Sequence, residues 1–160
     1  MNLIEMEVGG VYIDPESNIP VIILKSSGSK DILPIWVGPL EASYILMQLQ
    51  KIEPPRPLTP DLIVSLFLQN NIKVKKVIIN EIRNNTYYAK IIYENRFKIR
   101  EIDARPSDAI SIALKVNAPI LVNKKIITDA FSLGLKKNKD EYYREILEKL
   151  DKQDMEDAVM

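Results

Sequence analysis

The sequence predicts an α+β fold, on three observations. Two stretches, residues 3–37 and 74–102, each hold three short runs of apolar residues separated by turn residues, mostly alternating with polar ones. Each stretch leads into a helical pattern opened by a proline, Pro39 in the first and Pro106 in the second. Strands and helices come in runs rather than in strict β-α-β alternation, which predicts mainly antiparallel sheets from two strand meanders, each followed by helices. The repetition is consistent with a duplicated β-meander–helix unit, although the spacing differs and the first half has an extra helix.

Leu3, Ile4, Met6, Val8, Val11 and Ile13 mark the first strand, Leu3 to Ile13. Asp14-Pro15-Glu16-Ser17-Asn18 is a turn by composition. Val21 to Leu24 and Ile32 to Val37, separated by Ser26-Ser27-Gly28-Ser29, complete the first meander. Gly38-Pro39 then launches a helix with Leu40, Ile45, Leu46, Leu49 and Ile52 as its apolar stripe and Glu41 in its first turn. Pro54-Pro55-Arg56-Pro57 is stiff and extended. Thr59 is expected to cap a second helix, with Pro60 at its first position and Leu62, Ile63, Leu66 and Phe67 facing the core.

Val74 to Ile82, Thr86 to Tyr93 and Arg96 to Ile102 form the second meander, joined by Asn84-Asn85 and Glu94-Asn95. Pro106 opens a third helix whose buried face is Ala109, Ile110, Ala113 and Leu114, and which stops at Asn117-Ala118-Pro119. Ile120 to Val122 reads as a short strand and Lys124 to Phe131 as one or two helical turns. Residues 1–135 are expected to form the domain. Residues 136–160 form a charged appendage, with Tyr143, Ile146, Leu147 and Leu150 on one side of a helix over Asp140 to Lys152.

Composition narrows the chemistry. The chain has 160 residues, 46% of them hydrophobic, enough for one packed domain. No apolar run approaches 18 residues, so no membrane partner is expected. The absence of cysteine removes disulfides and thiolate chemistry and agrees with a reducing cytoplasm. The absence of histidine excludes histidine general bases, serine or cysteine triads and imidazole-held metals. What remains is carboxylate, guanidinium, amine and hydroxyl chemistry, or a hard cation such as Mg2+ or Mn2+ held by oxygen. Of the 22 basic and 22 acidic residues, 6 and 8 lie from Lys136 onward, leaving a core with 16 and 14. That is a weak electrostatic footprint for nucleic acid.

The groups with chemical potential sit at element ends: Glu41, Arg56, Asp61, Asp103, Arg105, Ser107 and Asp108. Converging carboxylates among Glu41, Asp61, Asp103 and Asp108 would hold Mg2+ or Mn2+, which activates water and clamps a phosphodiester. Arg56 or Arg105 would stabilise charge on phosphorus, with Ser107 beside it. The same residues have structural readings. Asp61 and Asp108 favour helix N-termini, and Arg105 suits an ion pair with Asp103 or Asp108. Trp36 reads as core or interface, whereas an outward tyrosine among Tyr87, Tyr88 and Tyr93 would stack on a base.

Three motifs in one order carry a resemblance. Leu33-Pro34-Ile35-Trp36-Val37-Gly38 with Glu41-Ala42, Pro55-Arg56-Pro57-Leu58-Thr59 with Asp61-Leu62, and Asp103-Ala104-Arg105-Pro106-Ser107-Asp108-Ala109-Ile110 with Ala118-Pro119-Ile120 resemble the bifunctional nuclease family. The resemblance implies a compact α+β domain, a homo-oligomer such as a dimer, and hydrolysis of both DNA and RNA. It marks Glu41, Arg56, Asp61, Asp103, Arg105 and Asp108 as candidate site residues: Asp103, Arg105, Asp108 and Arg56 for catalysis, Arg56, Arg105 and Ser107 for substrate. The family often places histidine between the threonine and aspartate of the second motif, where this chain has Pro60. The alternative expectation is a non-catalytic binding or regulatory homo-oligomer that keeps the family fold.

Overall fold

In a computed structural model that describes residues 1–127 and Glu148, the two predicted meanders join into one sheet. Strands β1 (Leu3–Ile13), β2 (Pro20–Ser26) and β3 (Ile32–Trp36) form the first meander. Helices α1 (Pro39–Leu49) and α2 (Thr59–Gln69) follow, then β4 (Ile72–Arg83), β5 (Thr86–Asn95) and β6 (Lys98–Ala104), helix α3 (Pro106–Val116) and β7 (Ile120–Asn123). The strand order is β3-β2-β1-β7-β4-β5-β6. The short β7 is the joint: it runs antiparallel to β1 through Met6–Ile120 and parallel to β4 through Val77–Ile120. A helical turn begins at residues 124–127. The amphipathic helix expected over Asp140 to Lys152 lies outside the described residues except for Glu148. No helix among the described residues is long and apolar enough to cross a membrane.

Helix α3 is the central packing element. Its Ala109, Ile110 and Ala113 are fully buried, as its spacing predicts, against Val77, Ile79, Ala89 and Val122 of the sheet. It packs against α1, α2, β4 and β5. The small Ala109 and Ala113 let backbones approach, and Ile110 fills the space between layers. The left-handed Asn117 ends the helix, its N–H donating back to Leu114.

Several expectations are corrected. The stripe expected on α1 is only partly inside: Ile45 is buried along with Ala42 and Tyr44, while Leu40, Leu46 and Ile52 are exposed. On α2, Leu62, Ile63 and Leu66 face outward, and the buried positions are Asp61 and Val64. An all-round apolar helix has no unique inward face, and here the inward side is chosen by the Asp61 carboxylate. Thr59 does not cap α2. The helix begins from Leu58, whose N–H is satisfied by Asp61 three residues on, at 2.9 Å. Trp36 ends β3 half-exposed rather than in the core, with its indole N–H donating to Asp14 at 3.0 Å.

Candidate active site

The two edge strands of the sheet, β3 and β6, each run directly into a proline-opened helix, and the two helix starts meet. At the end of β6, Arg105 takes the extended conformation favoured before proline (φ −68°, ψ 148°) and stands at the head of α3. Its guanidinium grips Asp108 with two bonds, Nε to Oδ2 at 2.7 Å and Nη2 to Oδ1 at 3.0 Å. The same Nη2 reaches Glu41 Oε1 on α1 at 3.0 Å. Arg105 thus bridges the two halves of the chain while its side chain stays 66% exposed. Bonding to Asp108 first, and then to Glu41, raises the guanidinium pKa above its usual value, so it is charged at any working pH.

Gly38 positions Glu41. Its φ of −70° is open to any residue, so conformational freedom is not the reason for glycine. A Cβ at Gly38 would collide with the Glu41 carboxylate, which folds back over that position toward Arg105. Neither α1 nor α3 has a side chain capping its N-terminus. Pro39 and Pro106 lack an N–H, which leaves the amides of Leu40, Glu41, Ser107 and Asp108 as first-turn donors without a capping side chain. Asp108, the obvious capping group, is engaged by Arg105 instead.

These helix starts open onto a cleft of about 340 Å³ lined by Trp36, Gly38, Asn85, Tyr87, Arg105 and Ser107, among others. Asn85 is at the β4–β5 hairpin tip, where Asn84 and Asn85 both take the left-handed conformation asparagine tolerates. Ser107 is buried beside the floor, its carbonyl accepting the Ser111 hydroxyl at 2.8 Å. The cleft therefore offers one exposed cation, uncapped helix amides and an aromatic wall.

Other candidates lie elsewhere. Asp61 is buried among three helices, accepting from Tyr44 Oη at 2.7 Å and Leu58 N–H at 2.9 Å and pairing with Lys115 Nζ at 3.2 Å. Burial opposes its ionisation, but the Leu58 N–H, the Tyr44 hydroxyl and Lys115 outweigh it and hold the carboxyl below its usual range. Burial pushes the Tyr44 hydroxyl up, and the adjacent Asp61 adds to the rise. Asp103 is exposed, opposite Lys90 in the β5–β6 register. Its neighbour Ala104 pairs with the fully buried Ala89, so Asp103 is on the sheet face away from α3. Arg56 is exposed in the α1–α2 loop, with no ion pair among the described residues. Of the predicted site residues, then, Glu41, Arg105, Ser107 and Asp108 come together, and Arg56, Asp61 and Asp103 do not join them. Among the described residues no three acidic side chains converge on a place for a metal ion.

Sequence reasoning did not find Tyr44 and Lys115 as partners of Asp61, nor the placing of Trp36 at the cleft. A lysine in the last turn of α3 was the one available signal for the former.

A model of the bifunctional nuclease domain family matches residues 22–132. An uncharacterized protein of Mycobacterium tuberculosis (strain H37Rv) is 38% identical over 126 residues, 79% of this chain and 75% of that protein. Bifunctional nuclease 1 of Oryza sativa subsp. indica is 30% identical over 119 residues, 72% of this chain but 35% of the rice protein. Bifunctional nuclease 1 of Arabidopsis thaliana is 27% identical over 121 residues, 73% of this chain and 36% of that protein. The chain thus spans about a third of the plant relatives, and the matched family region contains both helix starts and the Arg105 bridge. On the extent of that match, this protein belongs to the bifunctional nuclease domain family.

Proposed function

We propose that this protein hydrolyses phosphodiester bonds in DNA and RNA at the cleft between the starts of α1 and α3. One observation carries the reading: Arg105, exposed and permanently charged, stands beside uncapped helix amides and the half-exposed Trp36. A phosphate entering the cleft meets a guanidinium suited to two of its oxygens and the N–H groups of Ser107 and Asp108 behind it. Charge building on phosphorus in the transition state is met by the same donors. Trp36 and Tyr87 offer faces for adjacent bases, which suits a chain whose overall charge gives little steering. A phosphate that draws Arg105 away also frees the Glu41 and Asp108 carboxylates to orient a water molecule.

The donor set bears on a metal as well. One guanidinium already bridges Glu41 and Asp108, so a single cation is within reach of both. Mg2+ or Mn2+ is commonly held by one or two carboxylates together with substrate phosphate, and Glu41 and Asp108 are the residues that would hold it. When bound, such an ion supplies Lewis acidity and a more acidic water.

The test is cleavage of single- and double-stranded DNA and RNA by highly purified protein, with Mg2+, with Mn2+ and with chelator. Arg105→Ala is expected to lower kcat/KM by about 10²–10³-fold. Glu41→Gln and Asp108→Asn are expected to follow it. Activity unchanged in all three variants would place the chemistry elsewhere or in a contaminant. The second reading is a binding module without catalysis, and the engagement of both carboxylates by Arg105 favours it. Nucleic-acid binding lost in Arg105→Ala, with no cleavage by the wild type under any of these conditions, would select it.

A further inference from the structure

Trp36 is the protein's single tryptophan, and it stands half-exposed at the end of the edge strand β3, on the wall of the cleft. Its neighbour Ile35 is buried, and the N–H of Val37 donates to the Pro20 carbonyl at 3.0 Å, so the backbone under the indole is fixed. An exposed ring on a fixed backbone still turns about its side-chain torsions unless a further group holds it. Asp14 is that group. Its Oδ2 accepts the indole N–H at 3.0 Å, although 22 positions separate the two residues in the sequence. The bond is not required to fasten the strand, because β3 already pairs with β2 from Val21–Trp36 to Lys25–Ile32.

Asp14 follows β1, so the β1–β2 turn reaches past the start of β2 to the end of β3. The turn is built to present that carboxylate. Oδ1 accepts the Glu16 N–H at 3.0 Å, Oδ2 also accepts the Ser17 hydroxyl at 2.8 Å, and the Asp14 carbonyl accepts the Asn18 N–H at 2.7 Å. Asn18 supplies the left-handed conformation (φ 57°) that returns the chain to Ile19, itself on the cleft wall. The indole first, then the Glu16 amide and the Ser17 hydroxyl, hold the carboxyl below its usual range, and the bond to Trp36 is charge-assisted. A carboxylate beside the wall of an anion-binding cleft opposes the ligand by its charge. Its place there calls for a role other than attraction.

We propose that Asp14 is a positioning residue: it locks the Trp36 indole as a stacking platform for an unpaired base whose phosphate lies at Arg105. The inference rests on the cleft being the site of nucleic-acid binding. Indole has one donor and no acceptor. With that donor occupied by Asp14, Trp36 offers a base only its ring, which stacks on any base and reads none. Stacking on a side chain needs a base released from its own partner and neighbours, so the platform selects unpaired nucleotides over duplex. Holding the ring in advance also removes an ordering cost that binding would otherwise carry. The charge of Asp14 predicts the opposite sign, since removing a carboxylate by itself strengthens the binding of an anion.

The test is binding of a hydrolysis-resistant, phosphorothioate-linked oligo(dT) to the full-length protein, read by anisotropy of a label on the oligonucleotide and by the emission of Trp36. The oligonucleotide should change the Trp36 emission of the wild type, and its duplex with oligo(dA) should bind about tenfold more weakly. Trp36→Ala should weaken binding of the single strand by about 10- to 100-fold. Asp14→Ala should weaken it by about 2- to 10-fold, and by nothing further in the Trp36→Phe background, where no indole N–H remains to hold. Ser17→Ala strips one bond from the turn and leaves the indole held, so it should bind as the wild type does. Failure of the wild type to bind, or equal binding by Arg105→Ala, overturns the cleft as the site and the platform with it. Binding that needs Arg105 but is unweakened in Asp14→Ala overturns the role of Asp14 alone. So does a loss from Asp14→Ala that persists in the Trp36→Phe background, or an equal loss in Ser17→Ala, because either assigns the effect to the turn. Equal affinity for duplex overturns the selection of unpaired bases.

Discussion

Arg105 and Gly38 act on one contact from opposite sides. Arg105→Lys keeps the charge but loses the two-pronged grip on Asp108 together with the reach to Glu41, so nucleic-acid cleavage should fall nearly as far as in Arg105→Ala. Gly38→Ala should push the flexible Glu41 carboxylate off Arg105 while barely changing the melting temperature, since the backbone there suits alanine. Activity in Gly38→Ala matching the wild type would remove Glu41 from the site. The Arg105–Asp108 pairing was legible in the sequence, because both residues fall in the first turn of a helix opened by Pro106. The Glu41 contact was not, since nothing local in the sequence reveals which helix starts meet in space. Asp103 shows the reverse failure: it sits in the motif, but strand alternation carries it to the other face of the sheet.

At the scale of elements, the Asp61 network fixes how α1, α2 and α3 sit together. Its carboxyl is held below the usual value in the folded chain, so its stabilising contribution is complete above the unfolded pKa near 3.8. The contribution then fades as pH falls through the folded value. For Lys115, burial opposes the charge, but Asp61 and Glu53 outweigh it and raise the pKa. That contribution is complete below about 10.5 and is lost as pH rises through the folded value. Asp61→Asn is expected to destabilise the protein by about 2 kcal/mol at neutral pH. It should also flatten the fall of melting temperature as the pH drops below about 4; an unchanged acid limb would mean the network contributes nothing there. Asn117→Gly, at a left-handed helix end, should stabilise by about 0.5–1 kcal/mol, read by urea unfolding. Helix starts were readable from proline placement and the strands from alternation, but the second hairpin turns at Arg96 and Phe97 rather than at the expected Glu94-Asn95, so β6 begins at Lys98 and not at Arg96. The inward face of α2 was not, because a helix apolar all round gives periodicity no contrast to report.

For the molecule as a whole, both meanders were legible from alternation, whereas their fusion into one sheet depended on β7, four residues long, pairing with β1 and β4 at once. So short a strand carries little signal of its own, and its neighbours lie far away in sequence. The same arrangement bears on how activity appears during folding. Each meander can form from contacts close in the chain, but the Arg105–Glu41 bridge joins residues from separate halves and must wait until the halves dock. In refolding from urea, the far-ultraviolet signal of the sheet should therefore recover before the proposed nuclease activity does, and shortening the α1–α2 loop should change the second rate more than the first.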